Sequence, residues 1–130
     1  MENRNTRQKD IIIDTLKHSK DHPTISELYE KVKSVDNSIG QATVYRTVSM
    51  LYNTYKLKKI PIKGIDHYDM NNIDHYHLYC KKCHKIIDLF DDNYFDLMKK
   101  MEKQYNIKLD QQDILFKGIC NECLKNNDYE

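Results

Sequence analysis

The chain has 130 residues and a net charge of +1, with 32% charged and 39% hydrophobic residues. This length suits one ordinary domain or two small ones, each with a thin core. No apolar run approaches the ~20 residues that span a bilayer, and the polar first residues lack the apolar segment of a secretory signal. The composition therefore predicts a cytosolic protein with no membrane partner.

Charge is unevenly divided along the chain. Residues 1–60 carry 11 Lys and Arg against 7 Asp and Glu, a net of +4, whereas residues 61–130 carry 10 against 13, a net of −3. A modest basic excess is compatible with a surface that faces phosphates, although an ordinary solvated face has the same composition. The asymmetry indicates that the two halves have different roles.

Two short amphipathic helices are predicted first. One covers about residues 7–18, with Thr6 placed to cap it. Thr24 and Glu27 have the spacing of a capping box, which opens a second helix over about residues 25–34.

A third helix is predicted from about Gly40 to Tyr52, because Val44, Val48 and Leu51 recur at helical spacing. Polar or hydrogen-bonding side chains occupy its other face near the N-terminal end, where a recognition helix meets bases and phosphates. These candidate DNA-contacting residues are Gln41, Thr43, Tyr45, Arg46 and Ser49.

Two strands follow, over about residues 57–62 and 65–70, joined through Lys63-Gly64. Three helices and a hairpin make a winged helix-turn-helix domain, predicted over residues 1–70 with a hinge at about 66–74. On periodicity alone, a three-helix interaction module fits equally well.

The remaining residues, 75–130, are predicted to form a small α/β domain. Strands over about 77–80 and 85–89 flank the first cysteine pair, a helix covers about 92–105, and a strand over 113–119 leads into the second pair. A sheet this small has edges to cover, and a second copy of the chain is one way of covering them. The fold class is therefore α+β.

All four cysteines occur in two Cys-x-x-Cys pairs: Cys80, Cys83, Cys120 and Cys123. Two such pairs supply the four thiolates of a closed tetrahedral zinc shell, which stabilises a fold and leaves no position for a substrate. A thioredoxin-like redox site needs only one Cys-x-x-Cys pair. Nothing in the sequence points to an oxidising compartment that would favour disulfides. We predict structural Zn²⁺.

A second group of potential ligands contains no sulfur. His75 and His77 project to one side of an extended segment, Asp69 precedes them by six residues, and Asp88 follows the first cysteine pair by five. His22 lies ahead of the second predicted helix. Taken singly, an exposed histidine or aspartate is more often a solvated side chain than a ligand.

The ordered set of motifs resembles the ferric uptake regulator family of bacterial metal-dependent repressors. The likeness rests on Ala42-Thr-Val-Tyr-Arg-Thr-Val48, the preceding His-Pro-Thr segment, and the following Asp-His-Tyr-His and Cys-x-x-Cys segments, and covers about residues 4–125. It implies a homodimer that binds double-stranded operator DNA, with a dimerisation domain that carries the zinc. Tyr45 and Arg46 match the family's DNA-facing tyrosine and arginine.

The resemblance also implies a regulatory metal site. The residues that match its positions, one by one, are His22, Asp69, His75, His77 and Asp88. Three imidazoles and two carboxylates suit Fe²⁺ or Mn²⁺. The zinc-uptake branch typically has a cysteine ahead of His-x-His, and the nickel and haem branches have a third histidine where this chain has Ile73, so both are disfavoured. His18, His67 and His84 match no ligand position and are predicted to be surface residues.

Two branches of the family remain. Aspartates at both carboxylate positions resemble the peroxide-sensing branch, in which two of the ligands, here His22 and His75, are the expected oxidation targets. The iron-uptake branch typically has glutamates there and is the alternative. Apart from the metal ligands, the sequence has no nucleophile or acid–base motif, so no enzymatic activity is expected. The basic helix that usually precedes this region of the family has no counterpart here, so we expect weaker DNA binding or a substitute role for Arg4, Arg7 and Lys9.

Overall fold

The computed structural model describes residues 4–54, 56–70, 75–109 and 114–126. The chain divides into two compact units, Met1–Asn72 and Ile73–Glu130, and each has its own buried apolar cluster. The predicted α+β class is confirmed. In the part of the chain described, no helix is both long and apolar enough to cross a membrane.

The first unit contains three helices followed by an antiparallel hairpin. Its elements are α1 (Arg4–Lys17), α2 (Ile25–Val35), α3 (Gln41–Asn53), β1 (Lys58–Ile62) and β2 (Ile65–Asp69). This is the predicted winged helix-turn-helix arrangement.

Each of the three helices contributes apolar residues at helical spacing to the core of this unit. The buried members from the helices are Ile12, Leu16, Leu28, Val32, Val44, Val48 and Leu51, joined by Ile39 from the segment before α3 and by Leu57 and Tyr68 from the hairpin region. Burial of one such side chain contributes about 1.5–3 kcal/mol relative to exposure. Because the apolar face of α3 is used in this core, its polar face is directed away from it.

A predicted side-chain cap marks the start of α2 but not the start of α1. At α2, the Thr24 hydroxyl oxygen accepts from the Glu27 amide at 3.2 Å and the Glu27 carboxylate accepts from the Thr24 amide at 3.0 Å, as predicted. At α1, the prediction that Thr6 is the cap is wrong, because the helix begins at Arg4. Neither Arg4 nor Asn5 is a helix breaker, and adding a residue to an existing helix is easier than starting one.

The hairpin turn has the chemistry of a two-residue type I′ turn. Lys63 and Gly64 have φ values of 52° and 80°, and Ile62 pairs with Ile65 on either side. Positive φ at both central residues matches the right-handed twist of the strands. The turn therefore sets the register that places Asp69 opposite Lys58.

The second unit is a three-stranded sheet with two helices. Its elements are β3 (Tyr76–Cys80), β4 (Ile86–Leu89), α4 (Tyr94–Tyr105), β5 (Leu115–Gly118) and α5 (Asn121–Lys125). The strand order is β4-β3-β5, with β4 antiparallel and β5 parallel to β3. The last predicted strand is shorter than expected, and its predicted first residue, Asp113, lies outside the described residues. Helix α5 was not predicted, because five residues are too few for a periodic pattern.

Tyr76 marks the apolar side of β3. Its ring lies 4.8 Å from that of Tyr94 and 5.4 Å from that of Phe116, measured between centroids. Met98 completes the small buried cluster. Since side chains alternate along a strand, His75 and His77 point to the opposite side from Tyr76.

We predict that Thr24→Ala lowers the free energy of unfolding of the first unit by about 1 kcal/mol, because α2 loses its side-chain cap. Ser26→Ala, an exposed change two residues away in the first turn of the same helix, is the control and should leave it unchanged. Urea unfolding followed by circular dichroism measures both. Equal midpoints for the two variants would contradict the role of the cap.

Candidate metal centres and nucleic-acid interface

The four cysteines form one compact cluster in the second unit. The Cys80 and Cys123 sulfurs are 3.8 Å apart, and those of Cys83 and Cys120 are 3.7 Å apart. Four sulfurs at the vertices of a tetrahedron about 2.3 Å from a zinc ion lie about 3.8 Å from one another. Disulfide sulfurs would be about 2.05 Å apart, and all four cysteines are free. The cluster fits a tetrahedral metal site and not disulfides.

Strand and helix ends bring the sulfurs together. Cys80 ends β3, Cys120 caps α5 and Cys123 lies within α5. The Cys120 amide donates to the Cys80 sulfur at 3.3 Å, and the His84 amide donates to the Cys80 carbonyl at 2.9 Å, which closes the first knuckle. Three of the four cysteines, all except Cys83, are buried.

The thiols differ in acidity because their surroundings differ. Burial raises the pKa of the Cys80 thiol, but the backbone N–H groups of Cys83, Cys120 and Lys82 outweigh it, and the pKa falls to about 6. Burial and hydrogen bonds shared with the neighbouring sulfurs raise the pKa of Cys123 to about 12. Crowded thiolates repel each other, so a divalent cation is what allows all four to be ionised together.

The first unit brings together two of the five predicted regulatory ligands. His22 Nε2 lies 3.6 Å from an Asp69 carboxylate oxygen, and both residues are buried. Two donor atoms that each lie about 2.1 Å from one ion are between ~3 and ~4 Å apart. The pair therefore has the spacing of two ligands to one cation.

The second unit brings together the other three. Asp88 on β4 is directly opposite His77 on β3. One Asp88 carboxylate oxygen lies 3.0 Å from His75 Nε2 and 3.3 Å from His77 Nε2. Both histidine side chains are almost fully buried, whereas the Asp88 side chain is 26% exposed. This is a second cation-binding geometry, built from nitrogen and oxygen alone.

The three remaining described histidines behave differently from one another. His18 and His84 are exposed, as predicted. His67 departs from the prediction, since it is half-buried and its Nδ1 lies 2.9 Å from the His22 carbonyl oxygen. The two residues are 45 positions apart, so no local pattern could have revealed this contact.

Helix α3 presents its polar face to solvent. Gln41, Tyr45, Arg46 and Ser49 are exposed and Thr43 is half-buried. The Arg46 guanidinium donates to the Thr43 hydroxyl at 3.2 Å, and both line a shallow cleft of about 260 Å³ that Lys9 of α1 also borders. Two cations beside an open cleft can receive a phosphate group.

Comparison with known proteins adds family relationships to this geometry. A model of the ferric uptake regulator family matches residues 1–117. A ferric uptake regulation protein from Campylobacter upsaliensis is 30% identical over 123 residues, 91% of this chain and 78% of that protein. The peroxide-responsive repressor PerR of Staphylococcus epidermidis is 26% identical over 119 residues, 91% and 79% of the two chains. The crystal structure of the Campylobacter jejuni peroxide stress regulator superposes with a TM-score of 0.79 at 27% identity, covering 92% and 91%.

We predict that Cys80→Ser or Cys123→Ser releases zinc and unfolds the second unit, because zinc binding and folding of a unit with so small a core are one equilibrium. Lys82→Ser, an exposed change within the same knuckle, should keep the zinc. Metal analysis, circular dichroism and sedimentation measure zinc content, folding and association together. A zinc-free variant that stays folded and associated would contradict this role.

Proposed function

The chain belongs to the ferric uptake regulator family, and from that premise we propose that it is a metal-dependent, DNA-binding repressor that senses peroxide through a regulatory iron or manganese site. The observation that supports this most is the separation of donor types. All four sulfurs lie in one cluster, while the imidazoles, which are buried, form sets with carboxylates that contain no sulfur. Soft and borderline-hard donors select different metals, which suits one structural and one regulatory ion.

The proposed regulatory ion is held by His22, Asp69, His75, His77 and Asp88. The first unit supplies two of these donors and the second supplies three, and neither number fills the shell of an Fe²⁺ or Mn²⁺ ion. An ion that takes all five would tie the winged helix to the second unit. Its binding free energy would then favour one arrangement of the two winged helices of a dimer, which is how a metal acts as a co-repressor.

Peroxide sensing is favoured over iron uptake by the two carboxylates. Aspartate is one methylene shorter than glutamate, which changes the reach and angle of the oxygen donor and the access of a small oxidant to the ion. Iron-uptake repression, with Fe²⁺ as the co-repressor, is the alternative, and the 30% identity to a ferric uptake regulation protein supports it. Relatives of both kinds match most of this chain.

DNA recognition is assigned to the exposed face of α3. Tyr45 is 53% exposed although it is a large aromatic residue, and Arg46 beside it can pair with a base edge or a phosphate. Gln41, Thr43 and Ser49 add hydrogen-bonding groups. The net charge of +4 over residues 1–60 favours approach to DNA.

Homodimer formation is assigned to the second unit. Leu97, Met101, Leu109, Ile114 and Phe116, with Met98 and Lys108, line an apolar groove of about 480 Å³. Within the described residues β5 is an edge strand of its sheet, and Phe116 on it is 48% exposed. An apolar face next to an open strand edge is what a second copy would cover.

The release step is assigned to the imidazole ligands. When bound, Fe²⁺ supplies the electrons that reduce peroxide, and Mn²⁺ does not. His22 and His75 are buried against carboxylates, so their imidazoles would lie beside the ion and would be the side chains exposed to an oxidant generated there. An imidazole that gains oxygen is a weaker donor, the link between the units is lost, and the operator is released.

We predict that the iron-loaded protein leaves its operator after peroxide treatment, whereas the manganese-loaded protein stays bound. Gel shifts on the DNA upstream of its own gene measure this, and mass spectrometry should find one added oxygen on His22 or His75 with intact cysteines. Release with both histidines unmodified and the cysteines oxidised would defeat the mechanism. Indifference to peroxide with iron bound would instead support iron-uptake repression.

We predict that Tyr45→Ala or Arg46→Ala weakens specific DNA binding by roughly 1–3 kcal/mol for each lost contact without changing metal content. Lys33→Ala removes one exposed charge from α2 and is the matched control for charge alone. Fluorescence anisotropy with operator and scrambled duplexes measures specific and non-specific binding. Normal operator affinity in both α3 variants would exclude α3 as the reading helix.

A further inference from the structure

His22 has an unusual backbone conformation for a residue that carries a predicted ligand. Its φ is 54°, in the left-handed region, and it precedes a proline, which restricts its backbone further. Such a conformation persists only where neighbouring groups hold it. The position of the His22 imidazole therefore depends on what holds its backbone.

Strand β2 contacts this segment through hydrogen bonds from Tyr68 and His67. The Tyr68 amide donates to the Pro23 carbonyl at 2.9 Å, and the His67 ring lies with Nδ1 2.9 Å from the His22 carbonyl oxygen. A carbonyl oxygen only accepts, so His67 carries its hydrogen on Nδ1 in this contact. The first bond is between backbones and survives any substitution, whereas the second depends on the side chain of residue 67.

The same strand supplies the neighbouring ligand. Asp69 is two residues beyond His67 on β2 and lies on the same face of the hairpin. The spacing of 3.6 Å between His22 Nε2 and the Asp69 carboxylate is thus set by one strand, which carries Asp69 itself and the ring that holds His22.

We propose that His67 is a positioning residue of the regulatory metal site, which holds His22 in its left-handed conformation so that its imidazole faces Asp69. This inference rests on the proposed function, because it gives His22 and Asp69 the role of ligands. Without the His67 bond, the His22 backbone relaxes to an ordinary conformation and its imidazole moves away from Asp69. The packing of β2 against α2 remains, since the Tyr68–Pro23 bond remains.

The test compares variants that place an N–H donor at different points of the side chain. Asparagine carries its amide nitrogen where histidine has Nδ1, whereas glutamine carries it where histidine has Nε2. We expect His67→Ala and His67→Gln to weaken Mn²⁺ binding about 10- to 100-fold, the usual effect of removing a partner that orients a ligand. His67→Asn should stay close to the wild-type affinity.

The measurement is a Mn²⁺ titration of full-length, zinc-containing protein, with free Mn²⁺ followed by electron paramagnetic resonance. Melting of the manganese-free protein and its zinc content should be the same in all variants, which separates positioning from general stability. His18→Ala, an exposed histidine, is the matched control. Should His67→Ala fail to fold, the asparagine and glutamine variants decide.

The outcomes separate this inference from the proposed function. Equal Mn²⁺ affinities for the asparagine and glutamine variants and the wild type would overturn the role of His67 and leave the regulatory site standing. If the zinc-containing wild-type protein binds no Mn²⁺, the proposed function itself is contradicted. A loss of affinity that follows the melting temperature across all variants would also overturn the role of His67.

Discussion

Four sulfur atoms held 3.7–3.8 Å apart in each measured pair are the constraint on which the second unit depends. The buried apolar cluster there is small, with Tyr76, Tyr94 and Met98 at its centre, and small cores need an additional link to be stable. Cys80 ends β3, so a metal on the sulfurs would fix that strand. The same strand carries His77 opposite Asp88. The sulfur cluster would thus help to fix the donors of the second unit, His77 and Asp88, although it shares no atom with them.

In the first unit, hydrogen bonds and not a metal position the two donors, His22 and Asp69. The capping box starts α2 directly after the His22-Pro23 segment, and β2 binds that segment through Tyr68 and His67. The I′ turn at Lys63-Gly64 sets the register of the hairpin and hence the position of Asp69. Lys58, directly opposite Asp69, is also buried, so the hairpin places a cation beside this carboxylate.

Much of the fold follows from local chemistry and could be predicted. The capping box, the apolar stripe of α3 and the Lys63-Gly64 turn are short-range signals, and all three appear as expected. The cysteine cluster was predictable because two Cys-x-x-Cys pairs together supply the four thiolates of one tetrahedral zinc shell. The prediction from Thr6 was wrong because a residue that can cap a helix need not do so when the residues before it are themselves helical.

What could not be predicted depends on tertiary contacts or on very small chemical differences. The contact between His67 and the His22 carbonyl joins residues 45 positions apart, and no local sequence pattern indicates the left-handed φ of His22. Helix α5 is too short to have a period. The proposed choice of peroxide over iron sensing rests on one methylene at each carboxylate, and the sequence shows this difference but not its effect on metal coordination.

The proposed repressor requires that binding of the regulatory metal and binding of DNA are coupled, and thermodynamic reciprocity makes this coupling measurable from either side. The measurement is the Mn²⁺ affinity of the zinc-containing protein, determined with and without saturating operator duplex. If the two sites are coupled, operator raises Mn²⁺ affinity by the same factor by which Mn²⁺ raises operator affinity, and a scrambled duplex does so far less. An Mn²⁺ affinity that is unchanged by operator would contradict it, however tightly either ligand binds alone.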